Sequence, residues 1–242
     1  VRALGIDTAT WTASAGVVVD GNTRLERSRL VSGSHASTLL LLLDETLSAA
    51  GLRLIDLDLI AISSGPGSFT GLRIGLSVVK GLALATGLAV IGVPTLEALA
   101  VAAGPREGLV CPVLDARKGE VYAAVFRWNE GVLKRVAAPM AIAPERLAER
   151  VGGACTLVGA GVEAYAPLWG LHFGQRATLI DGGTVAPSGA VIAALGTRRF
   201  AACGGADLDR LEPSYVRRSE AEIHRRPVRA TANPAGVEKL TG

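Results

Sequence analysis

The first thirty residues restrict the fold more than any other feature of the chain. Three strand patterns, Ala3 to Asp7, Ala13 to Val19 and Thr23 to Val31, follow one another with only Thr8-Ala9-Thr10 and Asp20-Gly21-Asn22 marking the connections. Connections this short suit antiparallel pairing, because a parallel crossover needs roughly a dozen residues or more. An antiparallel meander therefore precedes any helix.

Helices and strands then alternate. A helix capped at Ser34 or Ser37 runs to Ala50 and stops at Gly51, and Leu59 to Ser63 reads as a buried strand. Gly65-Pro66-Gly67-Ser68 turns the chain into a second helix, Gly71 to Thr86, ended by Gly87. Strand Ala89 to Val93 and a helix capped by Thr95 and running through Ala102 follow. The second half opens in the same way, with strands Leu109 to Asp115, Glu120 to Trp128 and Val132 to Ala137. After it come a helix Pro144 to Val151, a short strand Thr156 to Val158 and a last helix Ser188 to Phe200. A meander followed by alternating helices and parallel strands resembles the actin and hexokinase (ASKHA) superfamily, an α/β fold of two ribonuclease H-like lobes, here with a reduced second lobe. The expected divisions are an N-terminal lobe over 1–104, a smaller C-terminal lobe over 105–216, and a flexible basic tail over 217–242.

Charge separates body from tail. Residues 217–242 carry six of the 25 basic and three of the 22 acidic groups, which leaves the body with 19 of each. A neutral body is a poor electrostatic trap for nucleic acid, so a stand-alone RNA-binding module is disfavoured and any tRNA contact is expected only within a complex. The tail, with Arg217-Arg218 and His224-Arg225-Arg226, is either a solvated terminus or a point of tRNA contact in such an assembly. Three widely spaced cysteines, Cys111, Cys155 and Cys203, give neither a disulfide framework nor a zinc pattern, which points to a reducing cytoplasm. No uninterrupted apolar run reaches the roughly 18 residues of a membrane span, and the immediate strand pattern leads to the expectation that no signal peptide precedes it.

The superfamily pattern directs attention to Asp7 and Asp115, each at the end of the first strand of its meander, where such folds place acidic residues beside nucleotide phosphates and their metal. With Thr8 and Thr10 they form a candidate vestigial nucleotide site. An ATPase or small-molecule kinase using Asp7 and Asp115 is the enzymatic alternative, but only Gly159-Ala160-Gly161 stands where an adenosine-binding glycine pair is expected. The Gly65 to Ser68 turn lacks the Lys-Ser/Thr ending of a phosphate-binding P-loop and reads as a tight strand-to-helix turn. Arg117 and Glu120, flanking a hairpin turn, read as a solvated pair. Gly67-Ser68-Phe69-Thr70-Gly71 is not a nucleophile elbow, because its central residue is Phe69.

The runs Ile6-Asp7-Thr8-Ala9-Thr10, Gly65-Pro66-Gly67-Ser68-Phe69-Thr70-Gly71-Leu72-Arg73-Ile74-Gly75, Gly92-Val93-Pro94-Thr95-Leu96 and Asp115-Ala116-Arg117-Lys118-Gly119-Glu120-Val121-Tyr122 resemble the bacterial TsaB (YeaZ) family, as does Glu212-Pro213-Ser214-Tyr215-Val216-Arg217. The resemblance implies a non-catalytic subunit, without cofactor, that binds its paralogue TsaD and the ATPase TsaE. That assembly places threonylcarbamoyl on the adenosine next to the anticodon of ANN-decoding tRNAs. In TsaD the helix after the matching strand carries two histidines four residues apart that bind the catalytic metal; here those positions are Thr95 and Leu99. Leucine ligates nothing, so neither metal nor catalytic residues are expected.

Five consecutive leucines, Leu39 to Leu43, point all round their helix, whereas a helix on a sheet buries only a stripe. The next helix lines up Gly71, Gly75, Val78 and Leu82 as a small-residue face. Two explanations stand, a core packed on both sides or a partner surface of Leu39, Leu42, Leu43, Gly71, Arg73, Gly75, Val78 and Leu82. The family resemblance favours the second, a helical contact with TsaD or with a second copy of the chain.

Overall fold

The computed structural model describes residues 1–30 and 35–216. Ser34, one of the two proposed caps, and the 217–242 tail lie outside the described residues, while Ser37 lies inside the first helix. The meander forms as expected, with β1 (Arg2–Asp7), β2 (Thr12–Val19) and β3 (Asn22–Leu30) antiparallel. After α1 (His35–Ala49), strand β4 (Leu59–Gly65) joins β1 in parallel, and after α2 (Phe69–Thr86), strand β5 (Ala89–Pro94) joins β4. The sheet order is β3-β2-β1-β4-β5. Central strands β1 and β4 are buried almost throughout, while the edge strand β3 is largely exposed and carries Arg24, Glu26, Arg27 and Arg29, charges that suit an unpaired edge.

The second sheet has the same plan. Helix α3 (Thr95–Ala102) leads to β6 (Leu109–Arg117), β7 (Glu120–Asn129) and β8 (Val132–Ile142), then α4 (Pro144–Arg150) and β9 (Cys155–Gly159). Two short helices, α5 (Gly161–Ala164) and α6 (Ala166–Phe173), precede β10 (Ala177–Asp181), giving the order β8-β7-β6-β9-β10. The second lobe is the smaller, as expected: its sheet is complete, and the reduction lies in its short helices. Helices α5 and α6 and strand β10 are additional to the elements expected from the sequence. Strand β10 is an edge strand with an exposed Leu179 and weak alternation, and α6 is held by the buried Phe173 and Trp169, the latter's indole N–H donating to the carbonyls of Gly161 and Val162 at 3.1 Å.

The division at 104/105 separates the sheets, but not the lobes. Helix α7 (Gly189–Cys203) returns to the first sheet, where Ile192, Ala193 and Leu195 pack with Ala3, Leu59 and Ile91. Close approach is possible because Gly5 and Gly16 have no side chain: a Cβ on either would overlap the backbone of residues 189–193. Residues 204–216 stay with that lobe, where Ala206 N–H donates to Val90 O, Ser214 N–H donates to Ser64 O and Leu211 is buried. Residues 189–216 therefore complete the N-terminal lobe, and the elements of the second lobe end at β10.

The partner surface read from the sequence is largely core. Leu39, Leu42 and Leu43 are all less than 5% exposed and pack with Leu4, Ile60 and Ile62. Spacings of three and four residues place them on the same side as Thr46, Leu47 and Ala50, leaving Leu40 and Leu41 half exposed on the other. Gly71 and Gly75 face inward too. A Cβ on Gly71 would overlap the carbonyl of Thr8, and one on Gly75 would overlap Thr8 Oγ1 and lie 3.1 Å from Ile62 Cδ1. Val78 and Leu82 are half-buried against the same core, and of the eight residues only Arg73 is exposed. By length and composition α2 is the only described helix suited to crossing a membrane, although Arg73 and Lys80 interrupt its apolar run. Its Leu72, Leu76, Val79 and Ala83 face this sheet. Its start matches the expected turn, since Ser68 Oγ accepts from Gly71 N–H at 3.2 Å, and Gly87 ends it at φ 75°.

Candidate functional site

The two sheets meet at a cleft where β1 and β6 end. A cavity of about 310 Å³ is lined there by Thr10, Trp11, Phe69, Asp115, Arg117 and Tyr122 among others. A second, of about 230 Å³, shares Thr10 and Trp11 and reaches Gly182 and Gly183. The fold thus brings the loop after β1 and the hairpin after β6 to one place, as the duplicated pattern requires. The chemistry of the individual residues is less suited to nucleotide binding.

Asp7 and Thr8 lie behind the cavity wall and are absent from its lining. Asp7 is fully buried, with Oδ1 accepting from Ala9 N–H at 3.3 Å and Oδ2 without a partner. Burial pushes its carboxyl up to about 7, against hydrogen bonds from Ser63, Ala9, Thr10 and Thr8 that pull it down. Thr8 Oγ1 is also buried and unpartnered, pressed against the bare backbone of Gly75. Asp115 reaches the cavity, but its carboxylate is engaged. Its Oδ1 accepts from Arg117 N–H at 2.8 Å and Tyr165 OH at 3.1 Å, and its Oδ2 pairs with the Arg117 guanidinium at 3.2 Å. Arg117 is therefore bound to Asp115 and lies 5.8 Å over the ring of Trp11, a fuller role than the solvated pair expected of it. Sequence reasoning missed Trp11, which is 66% exposed in the cleft. Its one signal was an aromatic residue directly after the Thr8-Ala9-Thr10 loop.

The glycines of Gly159-Ala160-Gly161 serve packing. A Cβ on Gly159 would lie 2.6 Å from Leu99 Cδ2 and 2.7 Å from Val113 O. Two amides of the turn into α2 are also engaged, Gly71 N–H by Ser68 Oγ and Ser68 N–H by Ala9 O at 2.7 Å. A Cβ on Gly67 would lie 2.5 Å from Ala9 O, the close approach that a tight strand-to-helix turn requires.

Thr95 and Leu99, at the positions of the paired histidines, are both fully buried. Thr95 does not cap α3, whose preceding residue Pro94 stands at the N-terminus; its hydroxyl instead accepts from Gly65 N–H at 3.0 Å. Leu99 packs between α3 and the second sheet with Val110, Leu114 and Val158. Thr95 thus ties β4 to α3 within the first lobe, and Leu99 holds the lobes together. Among the described residues no three of His, Cys, Asp and Glu gather as a metal site would require.

Comparison with known proteins gives a consistent family. The model of the family described as TsaD, tRNA N6-adenosine threonylcarbamoyltransferase, matches residues 28–161. The tRNA threonylcarbamoyladenosine biosynthesis protein TsaB of Escherichia coli is 32% identical over 229 residues, covering 91% of this chain and 96% of the relative. YeaZ from Pseudomonas aeruginosa superposes with a TM-score of 0.74 at 28% identity, over 88% of this chain and 99% of that one. The ethanolamine utilization protein EutJ from Carboxydothermus hydrogenoformans, at 13% identity and a TM-score of 0.52 over 81% of this chain and 90% of that one, shares the fold alone. From its duplicated actin-like lobes and a match along nearly its whole length, the chain belongs to the TsaB (YeaZ) family.

Proposed function

We propose that the chain is a non-catalytic, cytoplasmic subunit that holds a TsaD-type paralogue in its active arrangement for the transfer of threonylcarbamoyl to the adenosine next to the anticodon of ANN-decoding tRNAs. A TsaE-type ATPase joins the same assembly, and a second copy of this chain takes the same surface in the paralogue's absence. The observation that carries this reading is the use of Thr95 and Leu99. Where the paralogue needs two metal ligands, this chain has one side chain bonded to Gly65 and another packed between the lobes. Against the ATPase or kinase alternative stand the burial of Asp7, whose carboxyl is pushed up to about 7, and the engaged carboxylate of Asp115.

The surface available to a partner is the outer side of α1 and α2. Leu40 is 48% exposed, Leu41 50% and Leu84 78%, and along α2 the exposed residues Arg73, Ser77, Gly81 and Leu84 recur at helical spacing. Nothing lies within 4 Å of a Cβ placed on Gly81, so a helix from another chain can approach closely there. Gly81→Arg tests the surface. The substitution removes an exposed helix glycine, worth up to about 1 kcal/mol of added stability, so the melting temperature is expected to hold or rise. Buried at an interface, the same guanidinium would cost several kcal/mol, a loss in affinity of roughly 100-fold or more. Co-purification of the full chain with its untagged paralogue, scored beside transfer of labelled threonylcarbamoyl to tRNA, gives the outcome. A wild-type chain that retains no paralogue, or that transfers the group alone, overturns the subunit reading. A Gly81→Arg variant that binds normally moves the interface elsewhere.

A further inference from the structure

Two motifs far apart in the sequence meet at the first turns of α2. Phe69 and Arg73 come from the glycine-rich run, and Tyr215 comes from the segment that closes the first lobe. Arg73 Nε–H donates to the Tyr215 hydroxyl at 3.0 Å, its guanidinium carbon lies 3.9 Å over the centre of the Phe69 ring, and the Phe69 and Tyr215 rings are 5.4 Å apart at 33°. The trio is built from both sides. Ser214 N–H donates to Ser64 O at 2.6 Å just before Tyr215, and a Cβ on Gly65 would lie 2.7 Å from Ser214 O, so the closing segment is seated against the turn that starts α2.

Such an arrangement exceeds what stability requires. All three side chains are exposed, Phe69 at 44% and Tyr215 at 39%, and an exposed pair of this kind adds little to folding. Among the described residues Arg73 has no carboxylate partner. Stacking fixes the plane of the guanidinium and the bond to Tyr215 takes its Nε–H, leaving the remaining N–H groups as a pre-oriented fork whose ordering entropy is already spent.

We propose that Arg73, held by Phe69 and Tyr215, is the anchor of the subunit interface and takes a carboxylate of the paralogous subunit in a two-point hydrogen-bonded pair. The inference rests on the subunit reading above and deepens it. A planar fork matches a carboxylate, and arginine and tyrosine are among the residues that dominate binding energy at interfaces. Arg73 also begins the exposed stripe continued by Ser77, Gly81 and Leu84, so the anchor and the helix surface are continuous. An RNA phosphate fits less well, because phosphate tracks need clusters of cations and the body carries as many acidic as basic groups.

Titration calorimetry of the full chain with its TsaD-type subunit, at several salt concentrations, tests the proposal on wild type, Arg73→Ala and Arg73→Lys. Arg73→Ala is expected to weaken binding roughly 30-fold or more and to flatten its salt dependence, with the melting temperature little changed. Arg73→Lys, which keeps the charge but not the fork, is expected to recover only part of the loss. Arg73→Ala binding within about twofold of wild type overturns the anchor, as does full rescue by lysine, which would mean a point charge suffices. A loss confined to tRNA binding of the assembled complex overturns it in favour of a phosphate contact. Absence of any wild-type complex overturns the subunit reading together with the anchor, whereas a complex indifferent to Arg73 overturns the anchor alone.

Discussion

Gly75→Arg is expected to abolish the folded state, leaving no cooperative thermal transition and no native circular dichroism at 25 °C. Gly75 lies on the inner side of α2, where even a Cβ would overlap Thr8 Oγ1 and crowd Ile62, and Thr8 is itself buried under the helix. An arginine there must either bury an unpaired guanidinium or drive α2 off the sheet. Each costs several kcal/mol, a large part of the roughly 5–15 kcal/mol that stabilises a domain. Gly75→Ala grades the same effect, at about 1–3 kcal/mol for one added methyl group in a packed site. The contrast with Gly81→Arg, six residues along the same helix and open to solvent, makes the assignment sharp. A folded Gly75→Arg variant would mean that the inward orientation of α2 is wrong.

Asp7 should make this protein less stable as pH rises. Its carboxyl titrates near 7 in the folded chain against a reference of 3.8, because burial disfavours the charged form. Between those values the folded chain keeps a proton that the unfolded chain has released, so folding takes up a proton. The contribution of this group is greatest below about pH 4, falls as pH rises through the window from 4 to 7, and levels off above it. The whole span corresponds to roughly 4 kcal/mol, or about 10 °C in melting temperature for a chain of this size. Asp7→Asn removes the titration. The difference in melting temperature between wild type and Asp7→Asn, followed from pH 5 to 8.5, is expected to move steadily in favour of the variant and then flatten. A difference that stays constant with pH would show that Asp7 is ionised in the folded state and that its buried oxygen has found a partner.

The same carboxylate bears on how the cleft should be understood. A nucleotide with its metal would need Asp7 charged and reachable, and Asp115 free to turn toward it. The fold instead has Asp7 buried away from the cavity lining and Asp115 committed to Arg117 and Tyr165. The duplicated architecture persists, while each carboxylate is engaged or buried within its own lobe and Arg117 reaches across to Trp11.

Much of the architecture was legible in the sequence because it rests on local chemistry. Tight turns after Val19 and Asp115 force antiparallel pairing, Ser68 and Gly87 bracket α2, and buried strands such as β4 read as unbroken apolar runs. The absence of paired histidines after β5 was equally plain. What could not be read was direction. Five leucines and a run of glycines announce that α1 and α2 have two apolar or small faces, but nothing local says which is turned to the sheet. Gly71 and Gly75 look like a docking stripe as much as Ser77 and Gly81 do, and only the position of the loop after β1 decides that the first pair must admit Thr8. Contacts between distant segments were invisible for the same reason. The return of α7 to Gly5 and Gly16, and the meeting of Tyr215 with Arg73 across 142 residues, depend on where the sheets lie relative to each other. Periodicity and turn chemistry therefore determined which elements this chain would form, and tertiary packing alone decided which of their faces became core and which were left exposed.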